Sequence, residues 1–139
     1  RGVEVECSYK PTHDTSLFMN YTYLSSKDKS RSGSDKEVWG LPKHVVGAGF
    51  NWQFFEQFNL NIDLTFVSKR RYESCPYSVN SYYKIDTSLT YDVNDHYQVF
   101  GRIENLLDAD YMENAGYPEP GIAFYIGGKM RFGGTSIER

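Results

Sequence analysis

The sequence is short of the residues that build metal sites and catalytic centres. Among 139 residues there are two cysteines, Cys7 and Cys75, and three scattered histidines, His13, His44 and His96. The cysteines lie far apart and in no C-x-x-C, so two unpaired thiols are expected, with no metal and no cofactor. Charge of one sign is also missing. Lys and Arg number 15 against 18 Asp and Glu, a net charge of −3, and the longest basic run is Lys69-Arg70-Arg71. That balance argues against nucleic acid as a partner. No apolar stretch approaches the roughly 18 residues of a membrane helix, so a helical span is excluded. There is no H-E-x-x-H and no G-x-G-x-x-G. Gly128-Lys129 cannot end a phosphate-binding loop, because Ala123 holds the place of its first glycine. His96 beside Asp95 has no placed nucleophile, so the chain is not expected to be an enzyme. It opens on Arg1 rather than Met, as expected of a processed or excised piece.

Aromatics and glycine are abundant instead. Tyr, Phe and Trp make up 17% of the chain, with 12 Tyr and 12 Gly. Apolar residues recur with period two, the signature of strands. One run is Val3, Val5, Cys7, Tyr9. The next is Leu17, Met19, Tyr21, Tyr23. Val46, Ala48, Phe50, Trp52 and then Leu60, Ile62, Leu64, Phe66 follow. Tyr83, Ile85, Leu89, Tyr91 form the fifth, Tyr97, Val99, Ile103 the sixth, and Phe124, Ile126, Met130, Phe132 the last. No segment carries a helical stripe. An antiparallel meander of about seven strands, each of roughly 9–11 residues, is predicted, a length that suits tilted membrane strands.

The connections alternate. Residues 11–15, 55–57 and 92–96 make short turns, whereas 25–43, 70–81 and 107–121 make long loops. A membrane barrel puts its long loops at the outer end and its short turns at the periplasmic end. Folding the middle hairpin about Glu56 sets Phe50 opposite Ile62, Ala48 opposite Leu64, and Asn51 opposite Asn61. Folding the next about Asn94 sets Ile85 opposite Ile103 and Leu89 opposite Val99. On its reverse face Lys84 meets Glu104 and Asp86 meets Arg102, the opposite-charge pairing that sheets favour. One face is therefore apolar and the other polar, with Asp63, Asp86 and Glu104 as lumen ion-pair partners. That is the transmembrane arrangement, inverted from a soluble barrel. Tyr and Trp at strand ends suit the two membrane boundaries.

At this point the residues resemble a family. Arg102-Ile103-Glu104-Asn105-Leu106-Leu107-Asp108 with Tyr111, then Gly116-Tyr117-Pro118-Glu119-Pro120-Gly121 leading to Phe124-Tyr125-Ile126-Gly127, and the closing Met130-Arg131-Phe132, are similar to the C-terminal signature of TonB-dependent outer-membrane receptors. Arg1-Gly2-Val3-Glu4-Val5-Glu6, Tyr21-Thr22-Tyr23-Leu24 and Pro42-Lys43-His44 match the family's spacing upstream. Two departures stand out: Ile122 replaces the family's usual Arg, and Phe132 is followed by the polar tail 133–139.

The resemblance implies an all-β domain at 1–132, the last seven strands of a roughly 22-stranded barrel in the cell outer membrane, with a periplasmic C-terminus. It implies TonB-energised uptake of a metal chelate: a ferric siderophore, cobalamin or haem. The alternative is a passive pore or structural barrel without a plug. Implied partners are outer-membrane lipid and lipopolysaccharide, upstream barrel strands and a plug, the TonB complex through regions absent here, and the chelate. For such a receptor the outer loops offer Arg70, Arg71, Tyr72, Tyr77, Tyr111 and Tyr117 as ligand-binding residues. Rigid amphipathic rings provide contact area at low entropy cost, and guanidinium groups suit an anionic chelate. Pro118 and Pro120 stiffen the loop that carries Tyr117. Trp39 fits a membrane anchor better than a ligand contact.

Overall fold

A computed structural model describes residues 1–28, 36–72 and 78–132. The elements in chain order are β1 (Gly2–Thr12), β2 (Thr15–Leu24), the short pair β3 (Lys27–Asp28) and β4 (Lys36–Glu37), β5 (His44–Phe54), β6 (Phe58–Val67), β7 (Tyr82–Asp92), β8 (Tyr97–Glu104), the short pair β9 (Met112–Asn114) and β10 (Tyr117–Pro118), and β11 (Ala123–Met130). The long strands form one seven-stranded sheet in the order β1-β2-β5-β6-β7-β8-β11, with every neighbour antiparallel. The expected meander is therefore present. β8 and β11 have 8 residues each, shorter than the expected range.

Alternation sorts the sheet into two faces. Along β5–β6–β7 the register runs Ala48↔Leu64↔Ile85 and Trp52↔Leu60↔Leu89 on one side, and Asn51↔Asn61↔Ser88 on the other. Among the described residues no layer covers the apolar side. Ile126 is 91% exposed, Phe124 70% and Val5 54%. Apart from Gly49, which lies under the Phe18 ring, the buried residues among those described are Val67, Arg70, Val79, Tyr82 and Asn105, at the end that carries the long loops. A sheet with a naked aliphatic face and no core of its own is built to stand in hydrocarbon. Rings mark both rims of that face. At the short-turn end Trp52, Phe54, Phe58 and Tyr91 follow one another at centroid distances of 5.0, 5.4 and 4.6 Å. At the far end Phe66 meets Tyr83 at 4.8 Å, and His44 lies 5.3 Å from Tyr23. Phe58 and Phe66 are about 26 Å apart along β6, or about 20 Å of height at a tilt of roughly 40°. That is of the order of the apolar band of an outer-membrane barrel.

The polar face satisfies itself locally. Asn51 and Asn59 exchange amide hydrogen bonds at 2.9 and 3.1 Å. Asp63 stands directly opposite Asp86. The like charges are tolerated because Asn61 donates to Asp63 at 2.5 Å, while Lys84 pairs with Asp86 at 3.0 Å. Two phenylalanines point to this side, each lying over a glycine of the next strand. A Cβ on Gly49 would sit 1.8 Å from the Phe18 ring, and one on Gly127 would sit 2.5 Å from the Phe100 ring. Each glycine is thus the floor for a ring on the polar face, a pairing that pins register.

The middle hairpin folds about Glu56 as expected, with Phe50↔Ile62, Ala48↔Leu64 and Asn51↔Asn61 in register. Its turn places Phe55 at φ 50° and Glu56 at φ 36°, conformations usually given to Asn and Gly. The Gln53 side chain donates to the Glu56 carbonyl at 2.7 Å and helps hold the turn. The β7–β8 hairpin departs from the expectation by two residues. Ile103 faces Thr87 rather than Ile85, Val99 faces Tyr91 rather than Leu89, and Arg102 faces Ser88 rather than Asp86. The cause is the turn: Asn94 Oδ1 accepts from the amides of His96 and Tyr97 at 2.9 and 3.0 Å, which moves the hairpin centre on by one residue. A slip of two keeps every side chain on its face. The charges then pair along their own strands, Lys84 with Asp86 at 3.0 Å and Arg102 with Glu104 at 2.7 Å, instead of across the hairpin.

Two outcomes follow for the natural protein refolded into vesicles. Leu64→Arg, on the lipid side, should lower unfolding free energy by about 2–4 kcal/mol, while Asn61→Arg on the polar side should cost well under half of that. Equal costs in denaturant titration would remove the assignment of faces. Gly49→Ala should cost about 1–3 kcal/mol through displacement of the Phe18 ring, and much less in a Phe18→Ala background. Additive costs would show that the ring does not rest on that glycine.

Candidate functional site: the knitted long loops

The long-loop end holds all the buried residues but Gly49 because three loops are tied together there. The first tie is backbone: Arg70 and Val79 exchange hydrogen bonds at 2.9 and 3.1 Å, closing the β6–β7 connection at its base. The second is a side chain. The Arg70 guanidinium donates through Nη1 to the Glu113 carbonyl at 2.6 Å and through Nη2 to the Met112 carbonyl at 2.8 Å. Beside it, Tyr82 stacks on Tyr111 with centroids 4.5 Å apart. The third joins the β2–β5 connection: the Gly40 amide donates to the Arg71 carbonyl at 2.8 Å. Gly40 has φ 79°, and a Cβ there would lie 3.3 Å from the Tyr72 ring.

The β8–β11 connection is shaped by Asn105, which is 2% exposed and left-handed at φ 51°. Asparagine tolerates that conformation and brings its own hydrogen bonds. Its amide side chain donates to the Ala109 and Pro120 carbonyls at 3.0 and 3.3 Å and accepts from the Ala109 amide at 2.9 Å. Its backbone amide donates to Asp86 Oδ1 at 2.9 Å, which fixes the loop to β7. Asp108, also left-handed at φ 48°, accepts from the Ile122 amide at 2.9 Å. The residues of the Asn105-Leu106-Leu107-Asp108 motif thus cross the two ends of the loop before β9 and β10 emerge.

The expected ligand residues fall into distinct places. Arg70 is buried and its two terminal nitrogens are engaged by loop carbonyls. Arg71 is exposed, and Tyr72 is half-buried over Gly40. Tyr111 is half-buried against Tyr82, and Tyr117 is 72% exposed at the start of β10. Tyr77 and Cys75 lie outside the described residues. Arg70 and Tyr111 come together around the β9–β10 hairpin; Tyr72 belongs to the neighbouring contact with Gly40. Trp39 is exposed at the long-loop end. Asn105, Asp108 and Tyr82 complete the arrangement and were not anticipated as its organisers. The available signal was an Asn and an Asp three residues apart directly after a strand.

Between the two loops lies a cleft of about 370 Å³, lined by Asn80, Asp110, Tyr111, Met112, Pro118 and Glu119 among others. Its walls offer carboxylates, an amide and a ring. Burial raises the pKa of the Tyr111 phenol; Lys84 opposes the rise and the Glu119 and Glu113 carboxylates add to it. The ring therefore remains a neutral hydrogen-bonding surface. Among the described residues no three His, Cys, Asp or Glu side chains gather as a metal site.

Comparison with known proteins agrees with this architecture. Residues 1–106 match the family model described as TonB dependent receptor-like, beta-barrel. The iron-regulated outer membrane virulence protein of Vibrio cholerae is 29% identical over 138 residues, spanning 94% of this chain and 21% of that protein. The vitamin B12 transporter BtuB of the same species is 35% identical over 78 residues, 52% of this chain and 13% of that protein. Among solved structures, the ferric enterobactin receptor PfeA of Pseudomonas aeruginosa superposes with a TM-score of 0.78 at 20% identity, covering 94% of this chain and 22% of the receptor. The copper transporter OprC gives a TM-score of 0.78 at 18% identity, over 93% of this chain and 23% of its own. The chain spans about a fifth of the length of these relatives. With three quarters of its residues matching the family model and its strands following the same meander, the chain belongs to the TonB-dependent receptor β-barrel family.

Proposed function

We propose that this chain forms the C-terminal wall of an outer-membrane receptor that imports a metal chelate, a ferric siderophore, cobalamin or haem, with energy delivered through TonB. The observation that carries the reading is the division of labour within one sheet. One face is aliphatic with aromatic rims, the other is polar and self-paired, and the outer loops are tied into a rim. A passive pore has little use for loops braced against each other, whereas capture of a scarce ligand gains from contact groups held in advance. Names among the relatives point the same way: an iron-regulated protein, a vitamin B12 transporter and a ferric enterobactin receptor. In this reading the short turns at His13, Glu56 and Asn94 face the periplasm together with the C-terminus, and the outer loops face the medium. Tyr117 and Tyr77 belong to the ligand-contacting surface with Arg71, Tyr72 and Tyr111, while lipopolysaccharide contacts the upper aromatic rim.

Uptake decides the reading. Cells that depend on the natural protein should accumulate ferric enterobactin, haemin or cyanocobalamin, and should cease to do so when TonB is deleted or the proton gradient collapsed. Entry of small solutes that ignores both treatments would favour the passive pore. Orientation has its own check. In whole cells an impermeant maleimide should label Cys75 and spare Cys7, and it should fail to label Glu56→Cys in a background lacking both. Labelling at position 56 would invert the topology. Changing Tyr77 and Tyr117 together to Ala should raise the half-saturation concentration for uptake about tenfold or more at normal surface levels, the cost expected of losing exposed aromatic anchors. Unchanged half-saturation would leave those rings as membrane anchors.

A further inference from the structure

We propose that Arg70 is a positioning residue for ligand capture: its buried guanidinium clasps the β9–β10 hairpin to the base of the β6–β7 loop and so sets where Tyr111 and Tyr117 stand. The functional half of this inference rests on the receptor reading above; the geometric half does not.

The grip has two parts. Arg70's backbone is fixed by its exchange with Val79, which is 4% exposed, so the side chain leaves from a rigid point. Its planar fork then chelates two successive carbonyls, those of Met112 and Glu113, at 2.8 and 2.6 Å. Lysine cannot reproduce this, because an ammonium is a point donor without the fork. The contact is also costly. Arg70 is 9% exposed, its Nε has no hydrogen-bond partner, and among the described residues no carboxylate lies within ion-pair distance. A buried cation held by neutral carbonyls alone does little for net stability. What it does supply is specification of one loop arrangement over others. The hairpin needs that, because β9 and β10 have three and two residues and, among the described residues, pair only with each other. Their remaining supports are the Tyr82–Tyr111 stack and the Glu119 amide, which donates to the Tyr111 carbonyl at 3.0 Å. Tyr117 projects from this hairpin, and the cleft lined by Asn80, Tyr111 and Glu119 exists only while the two loops stay together. Arg70 therefore acts on a ligand through the hairpin and not by touching the ligand.

The test uses the natural full-length protein in lipid nanodiscs and in cells. Amide hydrogen exchange across 112–119 should accelerate about tenfold or more in Arg70→Gln and by less in Arg70→Lys, the loss expected for charge-assisted hydrogen bonds. Exchange in β5 and β6 should not change. In uptake with ferric enterobactin or cyanocobalamin, whichever the unaltered protein carries, Arg70→Gln should raise half-saturation while leaving the maximal rate and the surface amount unchanged. Unaltered exchange in the hairpin would overturn the clasp. A loosened hairpin with unchanged half-saturation would overturn the positioning role and leave a purely structural contact. If Arg70→Gln fails to reach the membrane, Arg70→Lys carries the same comparison at smaller amplitude. If the unaltered protein takes up neither probe, nor haemin, the receptor reading falls, and the exchange result still decides the clasp.

Discussion

A strand that crosses hydrocarbon must place every backbone N–H and C=O on a neighbouring strand, because no water is there to accept or donate. That requirement governs this structure more than any core does. The seven long strands are each hydrogen-bonded to their sequence neighbours among the long strands. Among the described residues nothing packs on the aliphatic face, where Ile126 is almost wholly exposed. The free edges of β1 and β11 need further strands if the sheet is to stand in a membrane, and a closed barrel of this family provides them. The polar face follows from the same constraint. With the outer surface given to lipid, charges must go inside, and Lys84–Asp86 and Arg102–Glu104 neutralise one another within single strands.

The period-two pattern made the faces legible and the register only partly so. Both faces of β5, β6 and β7 can be written down from alternation alone, and the hairpin at Glu56 could be aligned residue for residue. The β7–β8 hairpin shows the limit. Slips of two leave the pattern intact, so alternation cannot choose between them. The choice was made by one side chain, Asn94, which accepts two turn amides and recentres the hairpin. Opposite charges at Lys84/Glu104 and Asp86/Arg102 offered an attractive alternative alignment. It lost because exposed ion pairs are weak beside a turn that satisfies its own backbone.

The long loops were legible as chemistry but not as geometry. Arginines and tyrosines in long loops beside a sheet end are a sound sign of a contact surface. Whether a given guanidinium faces outward or inward depends on which carbonyls the folded loops bring within reach, and these are more than 40 residues away in sequence, with separations of 42 and 43 for the two Arg70 bonds. Asn105 was readable in a different way. A buried left-handed position directly after a strand calls for Asn or Gly, and only Asn also supplies the bonds to Ala109 and Pro120 that cross the loop.

The two ends of the sheet spend backbone freedom in opposite ways. At the short-turn end Phe55 and Glu56 adopt left-handed conformations that disfavour their side chains, and Phe55 remains 83% exposed. The strain is local, and the neighbouring Phe54–Phe58 stack, 5.4 Å between centroids, holds the strands through it. At the loop end the left-handed residues, Asn105 and Asp108, are of types that accept the conformation and use it to make hydrogen bonds. Order is thus built where loops would otherwise be most mobile. In the proposed receptor, a loop that must meet a dilute ligand would lose less entropy on binding with its rings already held, and capture would improve by the freedom removed beforehand. The buried Arg70, the Tyr82–Tyr111 stack and the Asn105 crossing are three separate ways of removing it, all in the connections between β6 and β11.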